Sequence, residues 1–241
     1  MTDYQNRLRN VLLIATIASM SGVHACRRAV VSTDAPVTQN SAIRSADSIP
    51  VGTMMDAETL LVDVRSLDST IIVDMRYRGR DNFTGGKLPG YEGNRALLHR
   101  DAARALARVQ SALRGDGLGL KVFDAYRPVR ATLAMVAWTQ RTGRESLVRD
   151  GYISDRSRHN LGLAIDCTLV ELRAGNELDM GTPFDTFSTA AHTANAIGAV
   201  AVNRARFVAA MVREGFANYD QEWWHYSYAV AMPRRFDVVI R

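Results

Sequence analysis

The amino-acid sequence predicts an α+β domain in which helices flank an antiparallel central sheet. Two observations lead to this fold class. Apolar residues recur at helical spacing in some segments, whereas other segments are short, continuous apolar runs that indicate strands. Because the helices lie mostly before and after these short strands, we expect the sheet to be antiparallel.

The predicted elements follow one another along the chain, separated by turns. In chain order they are a strand over 69–77, a turn over 81–86, a helix over 100–114, a strand over 120–123, a helix over 128–142, a strand over 163–170, a helix over 203–214 and an extended segment over 216–229. Gly115 and Gly117 end the first helix, and Pro128 and Gly143 lie at the two ends of the second.

Residues 1–26 are typical of an export signal. Arg7 and Arg9 form a basic start, an apolar core over 11–20 follows, and residues 23–25 have the small side chains of a cleavage site. The apolar core is too short to cross a bilayer as a permanent helix. We therefore expect an exported protein that is located in the periplasm.

Cys26 follows the cleavage site directly. This arrangement resembles the lipobox of bacterial lipoproteins, in which the cysteine is acylated and tethers the mature chain to a membrane. His24 is unusual in a lipobox, so ordinary cleavage after Ala25 stays an alternative. We predict a flexible tether over 27–55, whose first part is rich in small polar residues without periodicity, and one folded domain over 56–241.

The charge distribution gives little support for a nucleic-acid partner. The chain of 241 residues has a formal net charge of +5, which comes from scattered arginines rather than from one basic block. An arginine-rich solvated surface explains such a pattern, and no nucleic acid is expected as a partner.

Two short motifs contain side chains that commonly bind metals. The first runs from Ser157 to Asp166 and includes His159; the second begins with Glu222, continues with two tryptophans and ends with His225. A lone histidine is more often a loop or core residue than a metal ligand. Asp166, however, lies in the apolar run that predicts a buried strand, and a buried carboxylate must be paired or bound to a metal.

His159, Asp166 and His225 have the chemistry of a catalytic zinc site. Zinc in such sites takes three nitrogen or oxygen ligands from the protein and keeps a fourth position for water, whereas magnesium and calcium prefer mostly oxygen. Glu222, if it is not a ligand, is suited to take a proton from the water as a general base. Glu222 and His225 could instead form a surface polar pair, but the two tryptophans between them favour burial.

Arg127 is a further candidate for a role in the reaction. The residue before a proline is held extended, so Pro128 fixes the direction in which the guanidinium projects. A zinc peptidase needs a donor for the oxyanion of its tetrahedral intermediate in addition to the metal. The alternative is a structural salt bridge between Arg127 and an aspartate such as Asp124.

Together these motifs resemble the signature of the D-alanyl-D-alanine dipeptidases of VanX type. The matching segments are Asp81-Asn82-Phe83-Thr84-Gly85, Tyr126-Arg127-Pro128, Ser157-x-His159, Gly162, Asp166 and Glu222-Trp223-Trp224-His225-Tyr226. The resemblance extends from about residue 60 to residue 228. It implies a fold with a zinc site in a cleft, as in the wider group that includes murein carboxypeptidases and the zinc-binding fold of hedgehog proteins.

The resemblance implies one zinc ion per chain and a role for each matched residue. His159, Asp166 and His225 would hold the zinc, Glu222 would be the catalytic base, and Arg127 would stabilise the oxyanion.

The resemblance also implies a pocket for a small dipeptide. Ser157 would lie near the carboxylate of the substrate, Tyr77 and Asp185 would surround its amine, and Asp124 would belong to the same pocket and orient Arg127.

The expected function is zinc-dependent hydrolysis of D-alanyl-D-alanine to two D-alanines in the turnover of cell-wall peptides. Two alternatives stay open: a murein D,D- or L,D-carboxypeptidase or endopeptidase, and a non-catalytic zinc- or murein-binding lipoprotein. The segment from Gly143 to Ser157 is shorter than expected of the cytoplasmic resistance enzymes, and an export signal is not typical of them. Both departures bear on whether dipeptides are preferred over longer peptides.

Overall fold

The computed structural model describes residues 49–241. The helices in this range are α1 (Met54–Leu60), α2 (Arg100–Arg114), α3 (Val129–Thr142), α4 (Ser146–Arg149) and α5 (Gly198–Arg213). The strands are β1 (Leu61–Asp63), β2 (Ile72–Val73), β3 (Leu97–His99), β4 (Leu118–Asp124), β5 (Ala164–Glu171), β6 (Ala217–Asn218) and β7 (His225–Ser227). The α+β class is confirmed. None of the helices in this range is long and apolar enough to cross a membrane.

The export signal and the lipidation of Cys26 were predicted for a part of the chain that lies outside the described residues. The predicted tether lies mostly outside them as well. Its last residues already belong to the fold, because Gly52 donates a backbone hydrogen bond of 2.8 Å to the Arg235 carbonyl oxygen. Thr53 then caps α1 reciprocally with Asp56. The domain therefore begins before the predicted boundary at residue 56.

The main sheet has the strand order β2-β4-β5-β7-β6. Neighbouring strands are antiparallel from β4 to β6, as predicted, but β2 is parallel to β4. The prediction of an antiparallel sheet is therefore wrong for this edge strand. The connection from β2 to β4 contains β3 and α2, and such a long crossover is what a parallel pair requires. A separate antiparallel pair joins β1 to β3.

The centre of the sheet is buried on both faces. Every residue of β5 except Glu171 is buried, which agrees with the continuous apolar run that predicted this strand. Helix α2 covers β4 with an apolar face that includes Leu106, Val109 and Leu113, and it also packs against α5. This layered core holds the ends of β4, β5 and β7 in fixed positions, and the candidate site lies at those ends.

Candidate active site

A short 3-10 helix over Arg158–Leu161 places His159 just before β5. The Ser157 hydroxyl accepts a hydrogen bond of 3.3 Å from the His159 backbone nitrogen and begins this turn. Gly162 ends it with φ +64°, a left-handed conformation that favours glycine. A Cβ atom at this position would also lie 2.8 Å from the His99 backbone nitrogen. The turn therefore depends on the glycine of the predicted motif.

Asp166 and His225 are brought together by the register of the sheet. They are direct partners in the antiparallel pair of β5 and β7, so their side chains are neighbours. Asp166 Oδ1 lies 2.9 Å from His225 Nδ1. The ligand atoms that these two residues and His159 offer all lie within 4.8 Å of one another. The structure thus brings together the three residues that were predicted as metal ligands.

The hydrogen bonds of His159 leave one ring nitrogen available to a metal. Its Nδ1 lies 2.6 Å from the Ala125 carbonyl oxygen, which can only accept, so Nδ1 carries the proton in the neutral ring. The lone pair is then on Nε2, which lies 3.3 Å from both Asp166 Oδ2 and His225 Nδ1. Two imidazoles and a carboxylate thus converge on one point, and the Ala125 carbonyl oxygen fixes the orientation of the His159 ring. This arrangement fits a zinc ion.

The electrostatics of this cluster also favour a bound cation. Burial disfavours the charged form of Asp166, but His159 and His225 outweigh this effect and hold the pKa of the carboxyl well below its ordinary value. Burial lowers the pKa of His225, so its ring is neutral and can offer a lone pair. Asp166 and His225 thus offer a carboxylate and an imidazole nitrogen, two of the donor types that zinc sites use.

Glu222 lies in the turn before β7 and is directed inward. The tryptophans that follow it, Trp223 and Trp224, are both buried, as the sequence indicated, and Glu222 is itself only 6% exposed. Its Oε2 atom lies 3.8 Å from His225 Nδ1, beside the metal-binding cluster. Burial, with the negative charges of Asp166 and Asp185, raises the pKa of Glu222 well above its ordinary value. A carboxylate with a raised pKa is suited to accept a proton and return it.

Arg127 lies directly after β4 and is held by Asp124. Its Nε and Nη2 atoms each lie 2.8 Å from Asp124 Oδ2, and Tyr91 donates a hydrogen bond of 2.6 Å to the other oxygen of that carboxylate. The guanidinium also lies 3.7 Å from Asp166 Oδ2 and lines the cavity. The salt bridge with Asp124, the alternative interpretation of Arg127, is thus present and directs the guanidinium toward the metal-binding cluster. The role of Arg127 toward an oxyanion stays a prediction.

Asp124 does not face the cavity in which a substrate would bind. Its side chain is completely buried and does not line the cavity, so grouping it with the substrate-binding residues was wrong. Its contacts are those of a residue that orients Arg127. Tyr91, which completes this arrangement, was missed because no motif in its neighbourhood points to it.

Tyr77 and Asp185 meet in the same cavity. The Tyr77 hydroxyl lies 3.1 Å from both carboxylate oxygens of Asp185. Asp185 is the one residue other than glycine in the described range with a positive φ, +61°. Burial, with the nearby charge of Asp166, raises its pKa well above the ordinary value. Tyr77 and Asp185 therefore form a second polar group in the cavity, and the Arg127 guanidinium lies 5.1 Å from the centre of the Tyr77 ring.

One cavity of about 430 Å³ connects all of these groups. Of the predicted site residues, Ser157, Tyr77, Arg127, His159, Asp166, Asp185, Glu222 and His225 line it. Its apolar wall was not predicted. The residues of that wall include Phe83, Met135, Tyr152, Ile153 and Phe187. They come from separate segments with no shared motif, although Phe83 belongs to the turn that carries part of the resemblance.

Comparisons with known proteins agree with this geometry. The Peptidase_M15 profile, described as D-ala-D-ala dipeptidase, matches residues 57–239. The D-alanyl-D-alanine dipeptidase of Enterococcus faecium is 34% identical over 168 residues, which cover 64% of this chain and 83% of that protein. The D-alanyl-D-alanine dipeptidase of Escherichia coli (strain K12) is 34% identical over 174 residues, 71% of this chain and 86% of that protein.

One solved structure that resembles this chain is that of vancomycin resistance D,D-dipeptidase VanXYg in complex with a D-Ala-D-Ala phosphinate analog. Its sequence is 19% identical, the TM-score is 0.36, and the aligned region covers 70% of this chain and 66% of that chain. The sequence relationships are much stronger. The family profile spans nearly all of the described residues, and the two dipeptidases are matched over more than four-fifths of their length. This chain therefore belongs to the D-ala-D-ala dipeptidase family of metallopeptidases, as its motifs predict.

Proposed function

We propose that this chain is a zinc dipeptidase that hydrolyses D-alanyl-D-alanine to two molecules of D-alanine. The observation that carries the proposal is a single cavity lined both by the His159, Asp166 and His225 cluster and by the Asp185 carboxylate. The relatives that bear the name D-alanyl-D-alanine dipeptidase support the same substrate.

One zinc ion per chain would be held by His159 Nε2, the Asp166 carboxylate and His225 Nδ1. A zinc ion bound in this way acts as a Lewis acid toward the scissile carbonyl and lowers the pKa of a bound water to about 7. Ala125 contributes indirectly, because its carbonyl oxygen holds the His159 ring in the required tautomer.

Glu222 is the group that moves the proton. It takes a proton from the attacking water as the water oxygen adds to the peptide carbon. It then returns that proton to the nitrogen of the departing D-alanine as the carbon–nitrogen bond breaks. Its raised pKa supports this double role, because a strongly acidic carboxyl would accept the proton poorly.

Arg127 stabilises the negative charge that develops on the carbonyl oxygen. Its guanidinium is only 9% exposed and is held in place by Asp124, so it requires little reorganisation during the reaction. Removing one such donor typically costs about 3 kcal/mol of transition-state stabilisation.

Different residues of the cavity bind the two termini of the substrate. The Asp185 carboxylate, with Tyr77 beside it, pairs with the ammonium group of the dipeptide, and Ser157 lies near its carboxylate. A longer peptide has an amide in place of that ammonium, and a buried carboxylate without its charged partner is costly. This supports a dipeptide rather than a murein stem peptide as the substrate.

The site of action that we propose is the periplasm, where the enzyme would recover D-alanine from dipeptides released during cell-wall turnover. Residues 1–26 support this proposal, since they are typical of an export signal, and Cys26 provides a possible membrane tether. Cell fractionation with sequencing of the mature N-terminus tests it. An intact N-terminus in the cytosolic fraction would contradict it.

The proposed activity is tested by measuring D-alanine release from D-alanyl-D-alanine and from a murein pentapeptide that ends in the same two residues. We expect release from the dipeptide and little from the pentapeptide, with one zinc per chain by elemental analysis. Release mainly from the pentapeptide would assign a carboxypeptidase instead. Zinc binding without release from either would indicate a non-catalytic binding protein.

A further inference from the structure

One buried arginine on α5 holds both ends of the segment that carries Asp185. We call the segment from Met180 to His192 the amine loop. Arg204 Nε and Nη2 donate to the Met180 carbonyl oxygen at 2.9 and 2.6 Å. Nη2 also donates to the Ala190 carbonyl oxygen at 3.1 Å, and Nη1 donates to that of His192 at 2.7 Å. A single guanidinium thus joins the start of the amine loop to its end.

The environment of Arg204 is unusual for an arginine in a domain core. Its side chain is 2% exposed, and no carboxylate in residues 49–241 forms an ion pair with it. Burial lowers its pKa, and the more distant charge of Asp179 opposes this effect. Within hydrogen-bond distance, the partners of the guanidinium in residues 49–241 are backbone carbonyls. An arginine suits this task because its donors are spread over three nitrogen atoms in a rigid planar fork, whereas a lysine offers its three donors from one nitrogen atom.

The chain at the start of the amine loop lies directly against α5. Gly181 has φ +82°, and a Cβ atom there would lie 2.8 Å from Val200 Cγ1. One residue before Arg204, the Asn203 side chain donates a hydrogen bond of 2.9 Å to the Asp179 carbonyl oxygen. The contact between α5 and this end of the loop is therefore close, and it leaves little room for another position of the backbone.

Between its two ends the amine loop is held by side-chain packing, with the Phe184 ring also against Tyr77 and Trp224, and the Phe187 ring against Phe83 and Tyr152. The Trp223 indole nitrogen donates to the Thr182 hydroxyl at 2.8 Å, and the Phe184 ring stacks on Phe123 with 4.9 Å between centroids. Asp185 itself has a left-handed backbone conformation, which costs free energy for any residue with a side chain. Such a conformation persists only where the surroundings hold it.

We propose that Arg204 is a positioning residue for substrate binding, which fixes Asp185 by holding the two ends of the amine loop together. This inference rests on the proposed function of Asp185 as the partner of the substrate ammonium. Arg204 does not line the cavity, so it acts on the substrate only through the loop. Its loss should weaken binding of the ammonium while the metal-binding cluster on β5 and β7 stays intact.

The first test measures the loop itself. Arg204→Gln is compared with Arg206→Gln, which removes the same charge from an exposed position on the same helix. Amide hydrogen exchange is followed in peptides that cover residues 181–189 and residues 164–171. We expect faster exchange over 181–189 in Arg204→Gln alone, with the β5 peptide unchanged. Unchanged exchange over 181–189 would overturn the proposal.

The second test measures the consequence for substrate binding. In Arg204→Gln we expect the KM for D-alanyl-D-alanine to rise about tenfold and kcat to change less than about threefold, since misplacement of an anchor mainly weakens binding. In a background of Asp185→Asn the same substitution should have no further effect on KM, because residues that act through one another are not additive. An equal effect in both backgrounds would overturn the proposal.

The two tests separate failure of this inference from failure of the proposed function. If the unsubstituted chain with zinc releases no D-alanine, the proposed function is wrong, whereas hydrogen exchange still decides whether Arg204 holds the loop. Circular dichroism shows whether Arg204→Gln folds. If it does not, Arg204→Lys replaces it, because lysine keeps the charge but loses the fork that bridges the three carbonyls.

Discussion

We call the part of the cavity formed by His159, Asp166 and His225 the metal end and the part formed by Tyr77 and Asp185 the amine end, and these two parts are built in different ways. At the metal end, Asp166 and His225 are paired residues of adjacent strands, and His159 lies in a short helical turn directly before β5. At the amine end, Tyr77 and Asp185 are 108 residues apart in sequence and lie on irregular segments. Backbone hydrogen bonds of the sheet set the geometry of the first end, whereas side-chain contacts set that of the second.

This difference indicates that the two ends can be perturbed separately. The metal end supplies the chemistry and is part of the buried sheet, so changes there should act on kcat and on metal content. The amine end recognises the substrate and depends on a loop, so changes there should act on KM. The following predictions test that separation in order of decreasing effect.

Removal of the metal should have the largest effect. Dialysis against a chelator is expected to abolish D-alanine release, and zinc should restore it. The thermal midpoint should fall as well, because a ligand at a thousandfold excess over its Kd stabilises the native state by about 4 kcal/mol. Hydrogen exchange over residues 181–189 should stay unchanged. Faster exchange there without metal would contradict the independence of the two ends.

Glu222→Gln should have the next largest effect. The amide keeps the size of the carboxyl but cannot accept a proton, so kcat is expected to fall by about 10²–10⁴. Zinc content, measured by elemental analysis, and KM should stay close to those of the unsubstituted chain. Asp220→Asn, at an exposed position in the same turn, is the matched control. A variant with undiminished kcat would exclude Glu222 as the base.

The sequence predicted the metal end more completely than the amine end for a physical reason. The metal-end residues lie on one strand pair and in one tight turn, so they appear in the sequence as short motifs. The apolar run around Asp166 also indicates that its carboxylate is buried. The side chains of Tyr77 and Asp185 were also named, but only through a family resemblance. Nothing in their local sequence shows that a loop and a 3-10 helix meet across the domain.

The misjudged features have a common cause. The parallel pairing of β2 depends on a long crossover, and the full burial of Asp124 depends on what packs around it, so neither can be read from local spacing. Arg204 was missed because its partners are backbone carbonyls, which every residue has. A side chain that bonds backbone carbonyls far away in the sequence leaves no local pattern, whereas helix caps and short motifs of functional side chains do.

Asp185→Asn should affect binding more than turnover. The amide leaves the substrate ammonium without a charged partner, and a hydrogen bond to a charged group contributes about 1.5–3 kcal/mol, so KM should rise about ten- to hundredfold. Zinc content should not change, because Asp185 is not one of the three predicted metal ligands. Steady-state kinetics with D-alanyl-D-alanine measure this effect. A fall in kcat of the size expected for Glu222→Gln would show that the two ends are not separate.

Tyr77→Phe should have the smallest effect and should be visible mainly as a shift with pH. The Tyr77 hydroxyl donates to both oxygens of Asp185 and thereby favours the ionised carboxylate, although burial raises the pKa of Asp185 overall. Loss of this donor should raise the pKa of Asp185 further. Because only the ionised form pairs with the ammonium, substrate binding should then be lost at a higher pH as the solution is acidified.

For Tyr77→Phe we therefore expect a KM increase of a few-fold near neutral pH, and an acid limb of kcat/KM that moves to higher pH. The pH profile of kcat/KM measures this shift, and an acid limb that stays in place would show that Tyr77 does not act on the ionisation of Asp185.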